Sequence, residues 1–203
     1  MPSRNVVKNY LPDSYYHLFN QGVNARKIFK DETDYHTFIE ILSRYLSPGP
    51  QTDKYGRLLQ NLSEDVELQT YTLLPDQFHL LVYTTDGRKI SEIIRRVCTA
   101  YTAYFNKRHK RKGHLFQGPF KASRVDAGDD LVLLSRYIHR LPRDYHKWHH
   151  SSLQHFIGDK KTLWVKPDRI YTMYEWGTYG SYLRDDKDYK ESLKKVRSEL
   201  SAD

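Results

Sequence analysis

The chain of 203 residues contains a single cysteine, only two methionines and no long apolar run. One cysteine, Cys98, cannot build a disulfide framework or a cysteine zinc site, and its position favours a small residue of the core. No apolar stretch is long enough to span a bilayer, and residues 1–5 lack the apolar core of a signal peptide. These absences argue against disulfide-rich and membrane-spanning classes, and we expect a cytoplasmic protein.

Basic and aromatic residues are abundant. Lysine and arginine number 33 against 25 acidic residues, so the formal net charge is +8, and 17 residues are tyrosine. Tyrosine packs like an apolar residue and can also stack on an unpaired base. This composition suits a polyanionic partner such as nucleic acid, although a soluble protein that is merely basic has the same balance.

The apolar periodicity predicts alternating strands and helices over the first 140 residues. In chain order the predicted elements are a strand at 15–23, a helix from Thr33 or Asp34 to Leu46, strands at 66–74 and 78–84, a helix over 90–108, a strand at 120–125 and a helix over 128–140. A polar loop is expected over 47–61.

The first six elements follow the order of a split βαβ unit. We therefore expect an α+β, ferredoxin-like antiparallel sheet with helices on one face. Residues 14–145 are predicted to form the domain, and residues 146–203 an extension packed on the core, with a terminal helix at 189–200.

Several segments, in this order and spacing, resemble the HUH single-strand DNA tyrosine transposases, above all those associated with repeated extragenic palindromes. The segments are Tyr16-His17-Leu18-Phe19-Asn20-Gln21-Gly22-Val23, Leu73 to Tyr83, Gly113 to Lys121, and Leu131 to His139. The resemblance covers about residues 15–148. It implies a substrate of single-stranded DNA folded into hairpins, and it favours a monomer.

The same resemblance implies a metal site on the third predicted strand. In the family, two histidines flank one apolar residue and hold a divalent ion, whereas this chain has Gln77-Phe78-His79. His79 matches, and the carboxamide of Gln77 is a weaker ligand for Mg²⁺ or Mn²⁺. A lone histidine on a half-buried strand, satisfied by one hydrogen bond, is the ordinary alternative.

The segment Tyr137-Ile138-His139-Arg140-Leu141-Pro142 resembles the family motif Tyr-Ile-His-x-Asn-Pro. The resemblance implies that Tyr137 attacks the scissile phosphate, leaving a 5′-phosphotyrosine and a free 3′-OH. Leu141 replaces the family's asparagine and cannot ligate a metal. His17 and Asp126 are candidates for the missing ligand. The alternative to an active transposase is a DNA-binding descendant whose catalysis is weakened or lost.

A basic cluster between the second helix and the fourth strand is expected to contact DNA, because cations neutralise phosphates while neighbouring rings stack on bases. A solvated helix end is the alternative for the cluster, and an RNA-binding module is a further possibility for the chain. The candidate DNA contacts are Arg95, Arg96, Lys107, Arg108, Lys110, Arg111 and Lys112.

Overall fold

The structure, a computed structural model, describes residues 10–52, 55–158, 160–173, 178–185 and 189. The strands in this part of the chain are β1 (Ser14–Gln21), β2 (Gln51–Thr52), β3 (Leu58–Leu59), β4 (Val66–Leu74), β5 (Gln77–Thr84) and β6 (Lys121–Val125). The α-helices are α1 (Glu32–Leu46), α2 (Arg88–Arg108), α3 (Asp129–His139), α4 (Gln154–Ile157), α5 (Asp168–Tyr171) and α6 (Tyr179–Arg184), and a short 3-10 helix covers Val23–Ala25.

The main sheet has four strands in the order β4-β5-β1-β6, and every neighbouring pair is antiparallel. The strands β4 and β5 form a hairpin through Pro75 and Asp76, because proline and aspartate are residue types that favour turns. The strand β1 lies inside the sheet, so both of its edges are paired. The predicted α+β, ferredoxin-like fold is confirmed.

Strand alternation sends the side chains of β1 into two different cores. Tyr16 and Leu18 pack with α1 and α2, whereas Tyr15 packs with α3 and the short helices that follow it. The strand β5 divides in the same way, with Leu80 in the first core and Leu81 in the second. The two helices of the split βαβ unit share one face, as predicted. The third helix, α3, instead covers the opposite face, because its own apolar stripe needs burial, so the helices do not all lie on one face.

The helix α1 begins earlier than Thr33 or Asp34. Asp31 is its N-cap, with an extended backbone and a carboxylate that accepts a hydrogen bond from the Asp34 backbone N–H at 3.2 Å. The Asp34 carboxylate turns back and accepts from the Lys30 N–H at 2.9 Å. Three of the four residues at 31–34 are of types that cap helices. The tertiary contacts of Asp34 decide which of them is the N-cap.

The stretch expected as a polar loop contains a second, small sheet. β2 and β3 pair antiparallel through Gln51 with Leu59 and Thr52 with Leu58. Strands of two residues carry too little alternation to be predicted from the sequence.

Residues beyond 145 cover the outer edge of β4. The Leu73 N–H donates to the His150 carbonyl at 2.9 Å, and the Trp148 indole N–H donates to the Leu73 carbonyl at 2.9 Å. Further along, the Lys166 N–H donates to the Leu68 carbonyl at 2.8 Å. An edge strand with unpaired backbone groups invites association with other chains, and these contacts remove that opportunity along β4.

The predicted terminal helix at 189–200 lies outside the described residues, apart from Tyr189. In the part of the chain that the structure describes, no helix has both the length and the apolar character needed to cross a membrane.

Candidate functional site

The sheet face beneath α3 carries the candidate metal residues. Alternation along β5 places Gln77 and His79 on this face with Leu81. In the sheet register, His79 lies opposite Thr72 of β4 on one side and opposite Phe19 of β1 on the other. His79 is buried, whereas Gln77 is half-buried nearer the end of the strand. The histidine therefore lies in the interior of the face.

His17 of β1 forms a hydrogen bond with His79. The distance from His17 Nε2 to His79 Nδ1 is 3.0 Å, the ring centres are 5.2 Å apart, and the planes are 17° from parallel. The two facing nitrogens thus lie between the ring centres, which is the arrangement of one N–H donating to one lone pair. The ring of Phe19 lies 5.5 Å from that of His79 and nearly parallel to it.

Both imidazoles are uncharged at neutral pH. Burial lowers the pKa of His79 to about 3. Burial, and secondarily the neighbouring His79, holds the pKa of His17 well below its usual range. A neutral pair can share only one proton between the facing nitrogens, so one outward nitrogen carries a hydrogen and the other a lone pair.

The outward atoms of the pair are buried without a hydrogen-bond partner among the described residues. They are His79 Nε2 and His17 Nδ1. Thr72 Oγ1, opposite His79 in the register, is likewise buried without a hydrogen-bond partner among the described residues. An unpaired buried polar atom costs about 1–3 kcal/mol, so such atoms usually meet a water, an ion or a substrate group. The three atoms around His79 could therefore bind a water, an ion or a substrate group.

The residues expected to hold a divalent metal do not assemble a full ligand set. Within the described ranges, no three side chains of His, Cys, Asp or Glu come together as a group that could bind an ion. Asp126 is exposed and contacts Arg124 at 3.3 Å. It follows Val125, which pairs with Tyr15, whereas His79 pairs with Phe19, four residues further along β1. The register therefore separates Asp126 from His79, and Asp126 is not the replacement ligand that the sequence suggested.

His17 is adjacent to His79, but its Nε2 is engaged by His79. Of the two outward nitrogens, His79 Nε2 and His17 Nδ1, only one carries a lone pair, because the pair shares a single proton between its facing nitrogens. That nitrogen and the Gln77 carboxamide do not by themselves make up a metal centre.

Tyr137 lies on α3, which packs against β4 and β5 on the face that carries His79. The tyrosine is half-buried at the border of the second core, next to the fully buried Ile138. The helix ends at His139, so Leu141 lies beyond it and does not share a helical face with Tyr137. Pro142 follows directly, and the residue before a proline disfavours helical geometry.

His139, the third residue of the motif, is part of a buried network. Its Nδ1 lies 2.8 Å from the Tyr179 hydroxyl, and its Nε2 lies 2.8 Å from Ser152 Oγ. Ser152 Oγ in turn accepts from the Tyr71 N–H at 2.8 Å, and the Tyr179 hydroxyl is 2.9 Å from Ser135 Oγ. The network joins α3 to β4 and α6, and the motif alone did not reveal it because its partners are distant in sequence.

The cations expected to contact DNA fall into two groups. Arg96, Arg108 and Arg111 are engaged within the protein. Arg96 donates to Glu92 at 2.6 Å, and Arg108 donates to Asp34 at 2.7 Å. Arg111 donates to the Asn106 side chain at the end of α2 and to the His114 carbonyl of its own loop. The charges of Arg96 and Arg108 are therefore paired with carboxylates, and the guanidinium of Arg111 is held by its neighbours. The other group is exposed and has no ion pair among the described residues; it consists of Arg95, Lys107, Lys110 and Lys112.

A buried carboxylate fixes the start of this basic segment. Asp34 has no exposed surface and accepts hydrogen bonds from Arg108 Nη1 at 2.7 Å, from His109 Nε2 at 2.9 Å and from the Tyr104 hydroxyl at 3.1 Å. The sequence indicated Asp34 only as a helix cap. Its contacts hold the C-terminal end of α2, and with it Lys107 and Lys110, in a defined position.

Comparison with known protein families agrees with the resemblance predicted from the sequence. The sequence model of one family, described as "Transposase IS200 like", matches residues 11–141, which is more than half of the chain. The chain belongs to the IS200-like transposase family. The predicted resemblance to the HUH tyrosine transposases is thereby confirmed. This family generally uses a divalent metal.

A solved structure supports the fold of this IS200-like transposase. A REP-associated tyrosine transposase bound to a REP hairpin is 12% identical, with a TM-score of 0.55, and the match covers 87% of this chain and 96% of that one. A candidate transposase from Deinococcus radiodurans R1 is 16% identical, with a TM-score of 0.40 and coverage of 69% and 97%. No curated protein matches the sequence.

Proposed function

We propose that this IS200-like transposase binds single-stranded DNA that folds into hairpins. The observation that carries the proposal is the group of exposed cations on α2 and the loop after it: Arg95, Lys107, Lys110 and Lys112. The solved relative bound to a REP hairpin suggests the kind of DNA. A hairpin offers phosphates for these cations and unpaired bases in its loop and flanks.

The arrangement of the cations supports a DNA-binding surface rather than a helix end that is only solvated. Asp34 neutralises Arg108 and holds the end of α2, so Lys107, Lys110 and Lys112 project from an anchored segment. Cations on an anchored segment lose less freedom on binding than cations on a mobile tail. Each phosphate neutralised on a single strand adds about 0.7 to the slope of log affinity against log salt.

Cleavage through Tyr137 is the second candidate function, and two observations favour it. Tyr137 lies on the helix above the face that carries His79, and His79 Nε2 is buried and unpartnered in the described part of the chain. In this reaction the Tyr137 hydroxyl would lose its proton as its oxygen bonds to phosphorus. The bond between phosphorus and the 3′ oxygen would break, and that oxygen would take up a proton and leave as a 3′-OH. His17 would serve as a positioning residue: accepting from His79 Nδ1–H, it would leave a lone pair on His79 Nε2.

The departures Gln77 and Leu141 favour the alternative, a DNA-binding descendant with weakened or lost cleavage. The predicted use of Mg²⁺ or Mn²⁺ rests on the family, since the donors left around His79 do not form a metal centre by themselves. The active transposase and the binding-only descendant would share the same DNA partner, so cleavage must be tested separately from binding.

The deciding experiment is a nicking assay on hairpin-bearing single-stranded DNA from the flanks of the gene, with Mg²⁺ or Mn²⁺ or with EDTA. The native chain, Tyr137→Phe and the control Tyr145→Phe, another half-buried tyrosine of the same core, are compared. A metal-dependent covalent adduct from the native chain and the control, but not from Tyr137→Phe, would establish the tyrosine nuclease. Salt-sensitive binding without an adduct in any chain would establish the binding-only protein.

We further propose that residues 14–145 form the DNA-binding domain, that residues 146–203 are an extension of it, and that the protein acts as a monomer in the cytoplasm. Light scattering of the protein with and without a hairpin tests the monomer. RNA and DNA hairpins of one sequence, compared at equal salt, separate a DNA partner from an RNA partner.

A further inference from the structure

A cavity of about 250 Å³ lies between α2 and the segment that leads into β6. Asn20 of β1 is part of its lining. Asn20 points to the same side of the sheet as Leu18, which is the α1 and α2 side, whereas His79 points to the α3 side. The cavity therefore lies on the opposite face of the sheet from His79 and is separate from the candidate cleavage site.

The lining combines flat apolar walls with a few polar groups. Phe116 and Phe120 supply rings, and Thr102 and His114 supply polar atoms. The Asn20 amide is buried; its oxygen accepts from a backbone N–H at 2.8 Å, and its nitrogen makes one long contact of 3.4 Å. One hydrogen of that amide is left for a ligand.

The charge at the cavity is positive. Arg95 is exposed and lines the mouth, and no lining residue from the described part of the chain is acidic. A volume of about 250 Å³ is below the usual range of drug-sized pockets, about 300–1,000 Å³, but suits one planar ring with its sugar. Aromatic walls, a hydrogen-bonding amide and one cation together match an unpaired base and its phosphate.

The cavity wall is joined to the end of β1, the strand that carries His17 and Phe19 on the opposite face of the sheet. Gln21 Nε2 donates to Gln117 Oε1 at 2.9 Å, and Gly22 pairs with Phe116, so the cavity wall and the end of β1 are joined. On the other face, Lys121 Nζ lies 5.7 Å from the centre of the Phe19 ring, next to His79.

We propose that the cavity is a nucleotide site that holds one unpaired base of the bound DNA, with Arg95 on its phosphate, and so anchors the strand on the face away from Tyr137. This inference rests on the proposed binding of hairpin DNA. It adds a defined site to that binding, built from α2 and the segment before β6.

Two neighbouring substitutions on α2 test the site. Thr102→Phe fills the cavity, whereas Ala103→Phe adds the same ring at an exposed position that does not line it. For a hairpin with unpaired flanks, we expect Thr102→Phe to weaken binding about 5- to 150-fold, the range of one lost stacked base, with an unchanged salt slope. Ala103→Phe should bind like the native chain. Arg95→Gln should lower the salt slope by about 0.7.

A measurement on the native chain covers the case in which Thr102→Phe does not fold. Cys98 is the only cysteine of the chain and lines the cavity. Its burial raises its pKa to about 12, so a neutral maleimide will react slowly and can be followed over hours. Hairpins with unpaired flanks should slow the labelling, and fully paired duplexes of equal length should not.

The outcomes separate the two proposals. Native protein that binds no DNA contradicts the proposed function itself. Native protein that binds hairpins, while Thr102→Phe binds equally well or Cys98 reacts equally fast with and without unpaired flanks, overturns the nucleotide site and leaves hairpin binding intact.

Discussion

Replacing His139 by glutamine will make the protein less sensitive to acid than the native chain. The ring is fully buried between the Tyr179 hydroxyl and Ser152 Oγ, both 2.8 Å away. Burial, and secondarily the neighbouring His155, lowers the pKa of His139 to about 3. Glutamine has both a donor and an acceptor for the two hydroxyls and does not titrate.

The sign and size of the effect follow from linkage. The folded pKa of His139 is below the unfolded value, so the unfolded state binds the proton first as the pH falls. The stability that the neutral ring contributes is complete above about pH 6.5 and is lost progressively toward about pH 3. Between pH 7 and pH 5 the loss is about 2 kcal/mol, from about 1.36 kcal/mol for each pH unit below 6.5.

The assay is urea unfolding followed by circular dichroism at pH 7 and pH 5, in EDTA. His17 and His79 are present in both chains, so the difference between the chains isolates His139. His36→Gln, at an exposed position on α1, is the matched control and should keep the native pH dependence. Equal losses of unfolding free energy in the native chain and His139→Gln would refute the neutral, buried imidazole.

Two other predictions concern the sheet face and the basic segment. His17→Leu should lower the free energy of unfolding by about 1–3 kcal/mol, because it leaves buried His79 Nδ1 without a partner, and His17→Gln should recover part of that loss in the same urea assay. Changing Lys107, Lys110 and Lys112 together to alanine should reduce the salt slope of DNA binding by about 2, measured by fluorescence anisotropy; an unchanged slope would exclude these lysines from the interface.

Periodicity in the sequence predicted most of the fold. The strand at 66–74 has the predicted bounds, and α1 ends at Leu46, where the predicted helix ends. The two-residue period of a strand also suffices to place residues 77 and 79 on one face of β5. Such features depend on residues close in sequence, where steric and hydrogen-bonding preferences act directly. The cap at Asp31 and the short β2–β3 pair were not predicted, because their signals are ambiguous or too brief.

The sequence by itself determined the order of elements, the family and the candidates Tyr137 and His79. Only the tertiary structure decided what these candidates contact. The pairing of His17 with His79, the binding of Arg108 by Asp34 and the network around His139 all join residues that lie far apart along the chain. Local patterns carry no information about such partners, since the sheet register and helix packing that bring them together are set by burial over the whole domain.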